Sequence, residues 1–452
     1  MYRMPLLFGL LCVVFYYSFA YHLERSDFIK LITLYVGLFF ITHQLIKIYG
    51  TSFWLLAGLG LLVRLILLPA IPNLSQDFYR FIWDGRLALQ GVSPYLFSVD
   101  TVLESQLAHV SQADLLRQGM GDLNAGHFSN YPPVNQLFFA LAGLVSGKSI
   151  TGAVIVMRSC IIAADIGILF FGKKLLEQLQ LPKKTIFWYF LNPFIIIELT
   201  GNLHFEGVML FFVMVGLYFL YQGRWVLSAL FWGLSISTKL LPLLLLPLFF
   251  NYFLKRKNGS LGFWRLVGFY GICLLTVLIT FVPFLSEVFV QNFSETIALW
   301  FQKFEFNASI YYIIRWIGYQ VVGWNIIESV GKILPLIVIG VLLILSFFRN
   351  NTSLPQLLTA MVFGLFTYFL LSTTVHPWYV ATPLLLCLFT RYRFPIVWSA
   401  TVMLSYAAYG NSNFDENLWL VALEYLVVLG YLAIELFFPE KFNFVRNPLG
   451  SL

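Results

Sequence analysis

Long apolar runs separated by short basic turns restrict what this chain can fold into. Runs of roughly 17 to 25 apolar residues are the length of a helical membrane crossing. Spans are expected near residues 4–21, 28–47, 52–72, 150–172, 185–201, 204–222, 225–238, 240–254, 263–285, 329–348, 354–374, 378–391, 394–410 and 418–438. That reads as an all-α polytopic membrane protein of about fourteen transmembrane segments. The runs 225–238, 240–254 and 378–391 are short for a full crossing, so they should lie where the membrane is thinned or a cavity is enclosed. The first run, Met4 to Tyr21, ends in Ser18-Phe-Ala20, which has the look of a signal-peptidase site, but it exceeds the usual signal core and is read as an uncleaved span.

Charge sets the orientation. With the N-terminus inside, Arg3, Lys47, Lys173, Lys174, Lys183, Lys184, Arg224, Lys255, Arg256, Lys257, Arg265, Arg349, Arg391, Arg393, Lys441 and Arg446 all fall on the cytoplasmic side. This parity requires the run 134–147 to be an interfacial or re-entrant helix. Residues 73–149 then form a long first external loop and 286–328 a second, and residues 439–452 form a cytoplasmic tail. The second loop holds an aromatic, amphipathic stretch around Asn307–Arg315 suited to lying on the bilayer. The formal net charge of +7 would suggest nucleic acid in a soluble chain; at 60% hydrophobic and 11% charged residues it reports topology instead, and no nucleic-acid partner is expected. Cys12, Cys160, Cys273 and Cys387 lie in apolar runs without paired spacing, so neither a disulfide framework nor a metal site is indicated.

The chemistry is expected in Ser75-Gln-Asp-Phe-Tyr-Arg-Phe-Ile-Trp-Asp-Gly-Arg86, just after the third apolar run. Ser75 can cap a short helix over residues 76–90, Gly91 can end it and Pro94 forbids its continuation. Asp77, Arg80 and Asp84 fall on one helix face. Two carboxylates beside a guanidinium suit an acid that takes a proton and a cation that meets a phosphate, or simply a solvated interfacial helix with paired charges.

Charges inside the spans also need an account. Arg64 lies in the third run, and Arg158 and Asp165 lie two turns apart in the fourth, where a structural Arg158–Asp165 pairing is expected. Around Glu198–Glu206 one span ends and the next begins, presenting Glu198, His204 and Glu206 to the outside. These could bind a divalent cation, though the spacing matches no strong metal signature, or hydrogen-bond a polar substrate. Lys239, in Ser237-Thr-Lys-Leu-Leu-Pro242, could hold a phosphate as a point charge or snorkel to the interface. His376-Pro-Trp-Tyr379 reads either as part of a site or as an aromatic belt beside a histidine. Asp77, Glu206, Lys239 and His376 emerge on one side of the membrane, as members of one site would.

Taken together, Gln76-Asp-Phe-Tyr-Arg80, Trp83-Asp-Gly-Arg86, Gly91, Pro94-Tyr95, Tyr131-Pro-Pro133, Gly201–Glu206, Thr238–Pro242 and His376–Tyr379 resemble the GT-C superfamily of integral-membrane glycosyltransferases. The nearest likeness is to bacterial polyprenol-phosphate-mannose-dependent mannosyltransferases. The resemblance covers roughly Phe53 to Phe438, dividing the chain into an N-terminal transmembrane hairpin (1–50), a GT-C-like domain (51–438) and the tail. It implies a hexosyltransferase of the cell membrane, with its active site on the external or periplasmic face. Such an enzyme moves a hexose, mannose by this likeness, from a polyprenyl-phosphate donor to a lipid- or glycan-linked acceptor with inversion. By position it makes Asp77 the general base and places His376 and the phosphate-side Lys239 in the site. Arg80, Asp84, Arg86, Tyr131, His204, Glu206 and Tyr379 are candidate substrate contacts. Many members carry an acidic turn such as His-Asn-Asp where this chain has His204-Phe-Glu206, which leaves the role of Glu206 open. No cofactor is expected; the chain has no GxGxxG or P-loop, in agreement with a lipid-linked donor. The rival reading is a transporter or flippase of a lipid-linked or polar solute, disfavoured because the chain shows no twofold hydropathy symmetry.

Overall fold

The computed structural model describes residues 3–50, 52–255, 259–411 and 414–438. The expected tail at 439–452 and the basic residues Arg256 and Lys257 lie outside the described residues. Regular structure among the described residues is helical, apart from one isolated parallel bridge between Phe306 and Thr374.

The chain opens with α1 (Arg3–His22), α2 (Phe28–Tyr49) and α3 (Phe53–Leu67). Asp27 starts α2 by accepting the Lys30 N–H at 3.1 Å, which satisfies one of the donors that a helix start leaves open. The first long loop then folds as α4 (Asp77–Ala88), α5 (Val99–Ser105), α6 (Ala113–Gly126) and α7 (Pro133–Ser146) before α8 (Ile150–Gln178). Pro133 sits at the first position of α7, where its missing N–H costs nothing. Helix α7 packs against α4 so closely that a Cβ on Gly85 would stand 2.1 Å from the Phe139 carbonyl oxygen. Only glycine fits that crossing.

Among the described residues six helices are long and apolar enough to cross a membrane by themselves: 28–49, 150–178, 261–284, 327–347, 354–371 and 418–437. The other expected spans are shorter or broken. Residues 185–201 fold as short turns ending in a π-helical segment, Ile195–Gly201, which bends by 110° into the helix Glu206–Tyr221. Residues 240–254 form a 3₁₀ segment with Pro242 and Pro247 followed by one short α-helix, and residues 377–387 are built the same way behind Pro377. Proline removes the N–H that an α-helical ladder needs, so these apolar runs tighten or break. Large apolar side chains such as Trp54, Phe348 and Trp419 are 77–86% exposed on the outside, as a lipid-facing surface requires.

One contiguous hydrophobic core runs from Cys12 to Leu432 and includes α1 and α2. Thr42 on α2 bonds the Leu191 carbonyl at 3.2 Å, Tyr35 bonds the Ser399 carbonyl, and Tyr21 on α1 bonds the Ile66 carbonyl at 2.8 Å. The N-terminal hairpin is therefore packed into the body of the protein.

The buried charges are paired differently from the sequence expectation. Asp165 pairs with Arg64 of α3 (Nε to Oδ2, 2.8 Å), not with Arg158. Seven residues of helix separate Arg158 from Asp165, roughly 10 Å of rise, so the two cannot meet without bending. Tyr189 and Thr200 hydroxyls complete the Asp165 carboxylate at 3.1 and 3.2 Å. Arg158 instead donates to five backbone carbonyls, those of Leu67, Leu68, Ala70, Thr200 and Gly201, at 2.5–2.8 Å. It thereby ties the end of α3 to the bend after Gly201, the two backbones that lead to Asp77 and His204.

Candidate active site

Asp77 is the first residue of α4, where the helix N-terminus favours a carboxylate. Its N–H donates to Ser75 Oγ at 3.3 Å, and Gln76 anchors the turn to α6 through the Met120 carbonyl at 2.9 Å. The Asp77 side chain remains 23% exposed, and its Oδ2 stands 4.0 Å from His204 Nε2.

His204 reaches that position because Leu203, fully buried, adopts φ +63° at the bend. A left-handed conformation is costly for a bulky residue, on the order of 1–3 kcal/mol, and persists where the surroundings enforce it. Those surroundings include Asn202, whose Oδ1 accepts the Leu74 N–H at 3.2 Å and whose amide approaches Glu198 Oε2 at 3.4 Å. The other face of His204 meets Glu198: Nδ1 lies 3.3 Å from Oε2, while Tyr406 donates to Oε1 at 2.7 Å. The imidazole is thus set between a buried carboxylate and the open one.

Aromatic rings close the site on its far side. Trp378 is stacked between two imidazoles, His204 at 3.8 Å and His376 at 4.5 Å between ring centroids. It is therefore not simply a belt residue. Tyr379 meets His376 edge-on at 5.5 Å, and Phe306 covers it at 5.4 Å. Phe306 is held there by backbone bonds to Thr373 and Val375. Burial, with the charges of Lys239 and Arg25 and the electrostatic influence of His204, pushes the His376 imidazole down from 6.5 to about 3, so it is neutral at ordinary pH.

Lys239 follows the last turn of Trp225–Thr238 in extended conformation, since Pro242 prevents the helix from continuing. Its Nζ pairs with Glu206 Oε1 at 2.5 Å and lies 6.0 Å from the centroid of the Tyr131 ring. The second Glu206 oxygen is buried without a hydrogen-bond donor. Tyr131, in the first long loop, is held protonated by burial and by the nearby Asp77 carboxylate, which raise its pKa.

Asp77, Tyr131, His204, Glu206, Lys239, His376 and Tyr379 are therefore brought together. Arg80, Asp84 and Arg86 are not directed at the same space. Arg80 pairs with Asp84 (Nε to Oδ1, 2.7 Å) and donates to the Asn124 and His127 carbonyls at 2.5 and 3.0 Å. Asp84 also accepts from Ser129 and Gln136 at 2.6 and 3.1 Å. Arg86 donates to the Ser111 and Lys148 carbonyls at 2.5 and 2.9 Å. All three are buried and hold the loop's own helices together. Among the described residues no group of three or more His, Cys, Asp and Glu is arranged to hold a metal ion.

Residues 26–255, just over half of the chain, match the family model described as the alpha-(1->6)-mannopyranosyltransferase N-terminal domain. The chain belongs to this alpha-(1->6)-mannopyranosyltransferase family. Alpha-(1->6)-mannopyranosyltransferase A of Mycobacterium tuberculosis is 21% identical over 336 residues, covering 70% of this chain and 62% of that protein. Alpha-(1->6)-mannopyranosyltransferase B of Corynebacterium glutamicum is 27% identical over 178 residues, 38% of this chain and 28% of the relative. GPI mannosyltransferase 1 of Kluyveromyces lactis is 33% identical over 126 residues, 27% of this chain and 31% of the relative. The chain spans less than two thirds of the length of these relatives. The segment matched by the mannopyranosyltransferase model holds Asp77, Tyr131, His204, Glu206 and Lys239. His376, Trp378 and Tyr379 lie beyond its end, and Arg25 lies one residue before its start.

Proposed function

We propose that this chain is an integral-membrane mannosyltransferase that moves a mannosyl unit from a polyprenyl-phosphate donor to a lipid- or glycan-linked acceptor, with inversion. The observation that carries the reading is the open Asp77 carboxylate beside His204, in the same site as the Lys239–Glu206 pair, within a helical fold of this family. In the proposed arrangement about fourteen membrane segments place the site on the external face of the cell membrane, as the positive-inside rule suggests.

In the proposed step Asp77 accepts the proton of the acceptor hydroxyl as that oxygen forms a bond to the anomeric carbon. The bond from that carbon to the phosphate oxygen breaks on the opposite face, and its electron pair leaves with the lipid phosphate. Lys239 provides positive charge toward the departing phosphate. The unpartnered Glu206 oxygen is free to accept a sugar hydroxyl, since a buried acceptor gains from any donor brought to it. His204, between Glu198 and Asp77, fixes the orientation of the base.

The test is purified protein in liposomes supplied with polyprenyl-phosphate mannose or GDP-mannose, together with an acceptor extract, scored by mass spectrometry for a new mannoside. Transfer from the lipid-linked donor alone is the expected result. Transfer from the nucleotide sugar, or no transfer from either, would overturn the donor assignment.

A further inference from the structure

A lipid-phosphate leaving group is held best by more than one cation, and beside Lys239 most cations around the first external loop are paired with carboxylates or buried against backbone carbonyls. Arg80 pairs with Asp84; Arg86 gives its Nη groups to backbone carbonyls and is buried inside the loop, its Nε unpartnered; and Lys239 gives one of its three N–H bonds to Glu206. Farther out, Arg117 pairs with Asp100 and Asp122, and Arg315 pairs with Glu305.

Arg25, in the turn between α1 and α2, is placed differently. Its guanidinium carbon lies 3.4 Å from the centroid of the Tyr409 ring. Its side chain also hydrogen-bonds that of Tyr409, but its Nε is buried without an acceptor, and among the described residues no carboxylate stands within ion-pair distance of it. Tyr409 leads directly to the site: its ring meets Phe306 at 6.0 Å, and Phe306 covers His376 at 5.4 Å. The Arg25 charge is felt at His376 itself. Stacking on an aromatic face holds the planar fork in one orientation, which lowers the entropy lost when it grips two oxygens of an anion.

We propose that Arg25 is a phosphate-binding residue of the donor site, gripping the lipid phosphate of the polyprenyl donor from the Tyr409–Phe306 side of the site. The inference rests on the mannosyl-transfer reading and extends it to a residue outside the family-matched segment. It makes the N-terminal hairpin part of the catalytic unit and explains why α1 and α2 are packed into the common core.

The experiment measures binding of farnesyl monophosphate and of neutral farnesol to the purified full-length protein. Wild type should favour the phosphate, and Arg25→Gln should lose about 10- to 100-fold of that affinity, the worth of charge-assisted hydrogen bonds. Arg25→Met, which keeps an apolar stem over Tyr409, should lose as much, and Lys332→Gln, on an exposed and separate helix turn, should bind as wild type does. In wild-type protein, phenylglyoxal modification of Arg25, read by peptide mass spectrometry, should be slowed by farnesyl monophosphate and not by farnesol. That readout needs no variant to fold. Wild-type affinity in both Arg25 variants, or unprotected labelling of a phosphate-binding wild type, overturns the assignment while leaving the lipid-phosphate donor in place. A wild type that does not distinguish the phosphate from the alcohol overturns the donor reading as well.

Discussion

His204 Nε2 stands 4.0 Å from Asp77 Oδ2, joining the start of α4 to the bend of a broken span across 127 residues of chain. The relationship leaves Asp77 partly open while fixing the direction from which it can be approached. Asp77→Asn is isosteric and cannot take a proton, so transfer should fall by roughly 10²- to 10⁴-fold. Thermal melting should barely move, because the Asp77 side chain makes no ion pair shorter than this one. Initial rates with wild type and variant check the point; equal rates would remove Asp77 from the chemistry.

Asp84, two turns along the same helix, makes the opposite forecast. It is fully buried, pairs with Arg80 and accepts from Ser129 and Gln136. Asp84→Ala would strand a buried guanidinium, which costs about 3–5 kcal/mol. The expected outcome is a large drop in melting temperature and in recovered protein, with transfer lost in proportion to the folded fraction. A stable but inactive Asp84→Ala would place this residue in the site after all.

The contrast between these two carboxylates shows where sequence reasoning stops. The apolar runs fix helices such as Phe28–Tyr49 and Leu354–Leu371 almost residue for residue, because burial in hydrocarbon leaves the backbone no other way to pair. Hydropathy does not report helical pitch, so the π turn at Ile195–Gly201 and the 3₁₀ segment at Leu241–Leu248 were legible only through their glycine and prolines. Helical spacing put Asp77, Arg80 and Asp84 on one face, but which of them faces His204 and which is covered depends on how α6 and α7 pack on α4. Partner choice is equally nonlocal: Asp165 could be paired with Arg64 only once α3 and α8 were packed. Trp378 carried a signal, in His-Pro-Trp-Tyr; Arg25, in a short turn of the N-terminal hairpin and outside the resemblance that begins near Phe53, carried none.

The Lys239–Glu206 pair separates binding from stability. Lys239→Gln removes a cation from the proposed donor site and strands a carboxylate that is 2% exposed. Donor affinity should weaken by about 1.5–3 kcal/mol, read as a raised KM for the donor, and the melting temperature should fall. Adding Glu206→Gln should restore the melting temperature, because two neutral amides can bond each other, without restoring donor affinity. Recovery of both in the double variant would make the pair purely structural.

His376 sets a pH dependence whose sign follows from its environment. Its pKa is held at about 3 in the folded protein against 6.5 for a free imidazole, by burial first and then by electrostatic interaction with His204, Lys239 and Arg25. Below about 6.5 the unfolded chain takes up a proton at this position that the folded chain refuses. The neutral imidazole therefore supports the fold fully above that value, and the support is lost progressively as pH falls from 6.5 toward 3. His127, lowered by burial and by Arg80, acts in the same direction. His376→Gln should accordingly remove part, not all, of the acid sensitivity. Melting temperatures of purified protein at pH 7.5, 6 and 5 are expected to fall more steeply for wild type than for the variant. Parallel curves would mean that the folded protein protonates His376 as readily as the unfolded chain does, which its enclosure by Phe306, Trp378 and Tyr379 argues against.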